Sequence, residues 1–267
     1  MMTRKIYVTK LERIQYLNKI LLEEMPHYKE DAKTFPQNLK SQRQLLRSLM
    51  NVRPPAPINE NFLREQDILL QDEKFENGIV TLEKISNGDK IIIWQGDITR
   101  LATDAIVNAA NSALLGCFIP CHGCIDNAIH SAAGLQLRNS CANIIRQQGH
   151  EESVGQAKIT PAFNLPCRYV IHTVGPFIDA GSEPTENQCE LLKSCYKSCL
   201  KLAAKKNLES IAFCCISTGE FHFPNYKAAE IAIKTVSDWL NNGNSMTVVF
   251  NVFKDKDVEI YKKILGV

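Results

Sequence analysis

No apolar run in this chain approaches the roughly 20 residues that span a bilayer, so no membrane partner is expected. The opening stretch, "MMTRKIYVTKLERIQYLNKILLEEM", carries charges throughout and lacks the apolar centre of a signal peptide. Neither sign of charge is in excess. Lys and Arg number 31 against 29 Asp and Glu in 267 residues, a formal charge of +2. With no basic-aromatic tract either, a nucleic-acid partner is not expected. No internal repeat of solenoid or propeller type is evident. What the chain does have is cysteine, ten in all. The missing export signal makes the expected setting the reducing cytoplasm, where a disulfide framework does not persist. The cysteines then read as small buried hydrophobes, metal ligands or reactive thiols. Hydrophobic residues at 45% and charged residues at 22% describe an ordinary globular protein with enough chain for a large core.

The pattern divides the chain into residues 1–75 and 76–267. In the first part Ile6, Leu11, Ile14, Leu17 and Leu21 form an amphipathic stripe, and "LKSQRQLLRSLMNVR" and "ENFLREQDILLQDE" offer two more helices. "RPPAP" between them must be extended. No clustered catalytic residue types appear here, so the expectation is a helical extension packed on the main domain. The second part alternates strands and helices. "IVTLEKI" and "KIIIWQGDI" read as strands joined by a turn at "SNGD"; "DAIVNAAN", "YVIHTVGP", "SIAFCCIS" and "MTVVFNVF" read as further strands. Helices are expected from about Glu186 to Lys206, at "YKAAEIAIKTVSDWL" and at "DVEIYKKIL". Strands apolar on both faces alternating with helices predict an α/β layered fold with a largely parallel sheet.

Ligands of such folds lie beyond the carboxyl ends of the strands. Four polar strand ends meet that description: "QGDIT", "NAANS", "GPF" and "STGEF". Taken singly, each is a turn or a helix cap: Asp97 and Thr99 could cap a helix, and Ser217–Gly219 could be a plain turn. Together they predict a nucleotide cleft. A fifth stretch is chemically denser. "GCFIPCHGCIDNAIHSAAG" packs Cys117, Cys121, His122 and Cys124 into eight positions before a helix-like run. Buried thiols, a Cys121–Cys124 redox pair and a zinc site all remain open on composition alone. A structural zinc needs four protein ligands, and this segment has no second ligand pair nearby, so a metal here reads as the three-ligand catalytic kind with an open position.

"WQGDITRLATDAIVNAANSALLG", "IDNAIHSAAG", "RYVIHTVGP" and "IAFCCISTGEFHFP", in that order, resemble the macrodomains, three-layer α/β/α modules that bind ADP-ribose. The resemblance runs from about Val80 to the C-terminus. Most hydrolytic macrodomains carry a run of glycines where this chain has "CFIPCHGCIDN". That insert, with the helical extension, resembles the zinc-dependent group of protein ADP-ribosyl hydrolases. The group releases mono-ADP-ribose from acidic side chains and is associated with a sirtuin-type transferase whose target is a lipoyl carrier protein.

The resemblance implies Zn²⁺ on Cys117, His122 and Cys124; Cys121, adjacent to His122, is expected to diverge from the same ion. It implies adenine contacts from Asp97 and Ile98, and pyrophosphate contacts from Ser217, Thr218, Gly219, Glu220 and Phe221, whose backbone would act as an anion nest. Asn111 would hold the distal ribose, flanked by Cys124 and Ile125, with Asn108 supporting the loop. Asp126, with Asn111, would carry catalysis as the general base for water; its plain alternative is a helix N-terminal charge. Zinc would orient a ribose hydroxyl or lower the pKa of a bound water. His130 and His172 read as packed residues, His222 as a neighbour of the cleft and Trp94 as core. Competing functions are a reader that binds ADP-ribose without cleaving it and a deacylase of O-acyl-ADP-ribose.

Overall fold

A computed structural model describes residues 9–267. Helices α1 (Lys10–Glu24), α2 (Lys29–Ala32), α3 (Leu39–Val52) and α4 (Glu60–Asn77) come first. Their starts follow from local chemistry. Thr9 and Glu12 form a reciprocal capping box on α1, while Asn38 and Asn59 cap α3 and α4 through their side-chain oxygens. Ile14, Leu17, Leu21, Leu46, Leu49, Phe62 and Leu69 make a core of their own, joined by one residue of the main body, Leu135. Ile6, the first residue of the expected stripe, lies outside the described residues.

The main body follows as β1 (Val80–Thr81), α5 (Leu82–Ile85), β2 (Ile91–Gln95), β3 (Leu101–Ala102) and β4 (Ala105–Ala110), then α6 (Ile125–Ala133), α7 (Leu135–Gln148), β5 (Ala157–Pro161) and β6 (Tyr169–Val174). It closes with α8 (Glu186–Lys205), β7 (Ser210–Phe213), α9 (Asn225–Asn241), β8 (Thr247–Val252) and α10 (Asp255–Leu265). The principal sheet has the order β2-β8-β7-β4-β6-β5, parallel except for the antiparallel edge strand β5. Helices α6 and α7 pack over β4 and β5; α8, α9 and α10 pack together, with α8 against β5 and β6 and α10 against β2 and β8. This is the three-layer α/β/α arrangement with a mixed, largely parallel sheet. Among the described residues no helix is long and apolar enough to cross a membrane.

Two local expectations are corrected. "IVTLEKI" is not a strand: Val80–Thr81 pairs for two residues with Leu101–Ala102, and Leu82–Ile85 then coils into one helical turn. Leu82 and Ile85 are three apart, so that turn brings both onto the core, which a strand would not. "SNGD" makes no hairpin, because β2 pairs with β8 instead of β1.

The parallel register has one consequence that matters for function. Strands β2, β4, β6 and β7 all end on the same edge of the sheet, so "QGDIT", "NAANS", "GPF" and "STGEF" share one rim.

Candidate active site

Asp126 sits in the first turn of α6 and is buried. Burial pushes its carboxyl up to about 6, against the opposing pull of the Asn108 amide and the Arg138 charge. Asn108 reaches it because β4 and β6 run in register: Asn108 and His172 are direct partners, so both side chains stand on one face. Asn108 Nδ2 donates to Asp126 Oδ1 at 2.7 Å and faces His172 Nδ1 at 3.2 Å, while His172 Nε2 meets Thr160 Oγ1 at 3.0 Å. Since the Asn108 amide is the donor, Nδ1 of His172 accepts and Nε2 carries the proton. Burial holds His172 neutral, its pKa lowered to about 3. His130 Nε2 lies 3.5 Å from Asp126 Oδ1.

In the loop leading into α6, Cys117, His122 and Cys124 converge, their ligating atoms within 4.8 Å of one another. Cys117 Sγ and His122 Nδ1 are 3.6 Å apart. Sulfur and nitrogen corners of a zinc tetrahedron, with bonds of about 2.3 and 2.05 Å, are separated by about 3.6 Å, so the pair fits Zn²⁺. Burial pushes the Cys124 thiol up to about 12, helped by neighbouring Cys117, although the Asn127 N–H pulls the other way. A thiolate here calls for a cation to stabilise it. His122 Nε2 faces the Glu220 carboxylate at 3.8 Å, the place where metal-bound histidines commonly meet an orienting carboxylate. Cys121 does not join the trio. With φ +52, it turns its sulfur to Ser48 Oγ at 3.3 Å and the Gln44 carbonyl at 3.7 Å, both on α3.

A second trio of ligand-type groups, His130, Cys141 and His172, is wholly buried behind Asp126. Arg138 lies near enough for its charge to act on both His130 and Cys141, which disfavours a cation there. The other buried thiols are unreactive: Cys195 is pushed by burial to about 11, and Cys167 and Cys214 to about 12.

The rim completes the cleft. Asn111 Nδ2 donates to the Gly116 carbonyl at 3.1 Å, leaving a buried Oδ1 without a partner among the described residues. Ser217 Oγ is likewise buried and unpartnered. The N–H groups of Gly219, Glu220 and Phe221 have no acceptor among the described residues, whereas Phe223 N–H closes the turn on Ser217 and His222 N–H closes it on Gly219. Such an array of free N–H groups suits an anion. Gly175 lets this turn approach β6, since a Cβ there would lie 1.9 Å from Ser217 Oγ. Phe221 packs edge-on to Phe177, ring centroids 5.9 Å apart. At the far end Asp97 Oδ1 accepts from Thr99 N–H at 2.9 Å and Thr99 Oγ1 at 2.7 Å, so Asp97 caps its own turn; Ile98 is buried beneath it. Ile125 is half-buried at the start of α6. Phe253, 73% exposed directly after β8, stands beside this turn, because β8 pairs with β2 and Gly96 N–H bonds to Val252. Sequence reasoning missed it; an exposed aromatic closing a rim strand was the available signal.

A layered α/β/α body with free N–H groups, an unpaired amide oxygen and a buried carboxylate along one strand-end rim defines a protein that handles a phosphate-bearing nucleotide sugar. The macro domain family model matches residues 107–232. A "Protein-ADP-ribose hydrolase" of Treponema medium is 52% identical over 266 residues, 97% of this chain and 100% of that protein, helical extension included. A "Probable bifunctional ADP-ribose hydrolase/ADP-ribosyltransferase" of Fusarium oxysporum f. sp. cubense is 40% identical over 264 residues, covering 91% of this chain but 44% of that longer protein. Among solved structures, the Trypanosoma brucei macrodomain in complex with ADP-ribose is similar with a TM-score of 0.63 at 29% identity, covering 82% of this chain and 95% of that one. The chain belongs to the macro domain family.

Proposed function

We propose that the protein is a zinc-dependent hydrolase that removes mono-ADP-ribose from acidic side chains of a modified protein. The observation that carries this reading is the convergence of Cys117, His122 and Cys124 at the start of α6, where the buried carboxylate of Asp126 lies two residues beyond Cys124, together with the unpaired Oδ1 of Asn111. A reader that only binds ADP-ribose needs no buried carboxylate at that point.

Phe253 and Asp97 would take the adenine, by stacking and by accepting from its amino group through the oxygen left free. The N–H groups of Gly219, Glu220 and Phe221 would hold the pyrophosphate. Asn111 Oδ1 would accept from a distal-ribose hydroxyl. Cys117, His122 and Cys124 would hold Zn²⁺ with a fourth position open, supplying Lewis-acid polarisation and orientation of the distal ribose. Asp126 takes a proton from water as its oxygen bonds to the anomeric carbon. The anomeric C–O bond to the acyl oxygen breaks, and the protein side chain leaves as a carboxylate. Asn108, itself held by His172, keeps Asp126 in place for that transfer.

The Fusarium relative's name joins a hydrolase to an ADP-ribosyltransferase in one protein, which supports pairing this activity with a transferase that writes the mark. A sirtuin-type transferase and a lipoyl carrier target, in the cytoplasm, complete the proposal. The test is release of ADP-ribose from a protein modified on Asp or Glu, with and without chelator. Release that survives full zinc removal, or binding without release, rejects it.

A further inference from the structure

The loop carrying the three candidate ligands forms no helix or strand and closes one backbone turn of its own, His122 N–H to the Ile119 carbonyl, so side-chain bonds do much to hold it. Those bonds come from two sides. Asn127, fully buried on α6, donates through Nδ2 to the Ile119 carbonyl at 3.0 Å, and its N–H meets Cys124 Sγ at 3.4 Å. From the other side comes the helical extension. Asn51, 1% exposed on α3, accepts the Cys121 N–H at 2.9 Å and donates to Ser131 Oγ on α6 at 3.0 Å. Arg47, one turn earlier, donates through Nη2 to the His122 carbonyl at 3.3 Å and to Asn127 Oδ1 at 2.8 Å. The pinned groups flank the site directly. Cys121 has a left-handed backbone that a non-glycine residue adopts only when held there, and His122 is a candidate ligand. Without Asn51 and Arg47, the turn keeps on the α3 side only the contacts of the Cys121 sulfur with Ser48 and Gln44.

We propose that Arg47 and Asn51 are positioning residues for the metal-ligand loop, so that the helical extension and the macro domain together build one active site. This rests on the zinc reading above. It gives a role to the packing of α3 onto α6, one of the contacts by which the extension meets the body. It also gives the distant pair Arg47 and Asn127, 80 residues apart in sequence, a shared task.

The test uses the full chain and zinc itself as the probe. Zinc affinity is measured by competition with a chromophoric chelator, and loop mobility by hydrogen exchange over residues 117–124. Arg47→Met keeps the aliphatic stem and removes the donors; Asn51→Ala removes the acceptor; Arg47→Lys restores a single donor. Arg43→Met breaks the two-bonded pair with Glu73 elsewhere on α3 and serves as the control. The expected result is about 10–100-fold weaker zinc binding for Arg47→Met and Asn51→Ala, as for other outer partners of metal ligands. Arg47→Lys should recover part of the loss, Arg43→Met should match the wild type, and apo melting temperatures of Arg47→Met and Arg43→Met should agree. Zinc affinity within twofold of wild type in both loop variants, or equal weakening in Arg43→Met, overturns the proposal. If Asn51→Ala does not fold, the half-buried Arg47 position decides alone. A wild-type protein that binds no zinc rejects the metal reading separately. Faster exchange at 117–124 in Arg47→Met than in Arg43→Met then still supports the positioning role, and equal exchange rejects it.

Discussion

Asn108, fully buried on β4, gives its amide hydrogen to the carboxylate of Asp126 across 2.7 Å. The bond selects one carboxylate oxygen as the anchored one and leaves the other for chemistry. Asp126→Ala is expected to lower turnover about 100-fold or more, the usual worth of a general base, with zinc content and ADP-ribose affinity kept. Asn108→Ala leaves Asp126 Oδ1 buried without its donor, which should cost about 1–3 kcal/mol of stability and lower kcat with little change in KM. Single-turnover kinetics on a modified protein, alongside metal analysis, checks both. Near-normal turnover in Asp126→Ala would take this carboxylate out of the reaction.

Cys117 and His122 are spaced as two corners of a zinc tetrahedron, and Cys124 is the residue that caps α6. One zinc per chain is the expected content. Its removal by chelator should abolish hydrolysis, and zinc but not magnesium should restore it, because the donor set is sulfur and nitrogen. Cys124→Ser and Cys117→Ser should each lower zinc content, whereas Cys121→Ser should not, since its sulfur faces α3. Equal zinc loss in all three would reassign the ligands.

The close approach of Gly175 to Ser217 predicts a binding defect without a chemical one. Gly175→Ala would place a methyl 1.9 Å from Ser217 Oγ and 3.3 Å from Ser217 Cβ, so the buried hydroxyl must swing aside and the start of the turn must give with it. ADP-ribose affinity by calorimetry should fall about tenfold or more, while the zinc content stays at the wild-type level. Unchanged affinity would show that the turn does not bind the pyrophosphate.

Much of this architecture is readable from local pattern. The apolar runs that became β4, β6, β7 and β8 are short and buried, so their existence and the shared rim follow from sequence once the sheet is parallel, whereas the lateral order β8-β7-β4-β6 is set by packing that no local pattern carries. Val80–Ile85 misleads because its apolar residues suit a strand in composition, yet Leu82 and Ile85 meet the core only at helical spacing. Edge strand β5 lacks an apolar run, since "AKITP" is mostly half-exposed and holds a proline that an edge tolerates. In the site, the ligand cluster is dense in sequence and visible at once. The wall behind it is not, because Arg47 and Asn51 come from 70–80 residues away and look like ordinary polar positions on an amphipathic helix. Phe253 escaped for a similar reason: only the pairing of β8 with β2 brings it beside Asp97.

Acid should weaken the fold through groups that are quiet at neutral pH. His130 and His172 are held neutral in the folded state: burial lowers both, with His172 and Arg138 adding to the effect at His130. Their unfolded counterparts take up protons near pH 6.5, so below that the unfolded chain binds more protons and stability falls. Two such groups alone give a slope approaching about 2.7 kcal/mol per pH unit. Asp126, whose folded pKa is raised to about 6, binds its proton in the folded state first and offsets about half of that between pH 6 and 4, and the loss continues toward the folded pKa of His172, about 3. Asp104 adds a second phase. Partial burial works to raise its pKa, but the backbone N–H groups of Glu209 and Ser210 and the Arg168 side chain outweigh it and bring the carboxyl below its ordinary value. Its contribution is therefore complete above the unfolded carboxyl range and is lost as pH falls through the folded pKa. Urea midpoints measured at pH 8, 6, 5 and 4 should decline throughout, with constant m-value. His172→Gln should remove most of the net slope between pH 6 and 4, and Asp104→Asn should cost about 1–3 kcal/mol at pH 7 while flattening only the lowest range. A midpoint independent of pH from 8 to 5 would mean that these imidazoles are charged, or solvated, inside the folded protein.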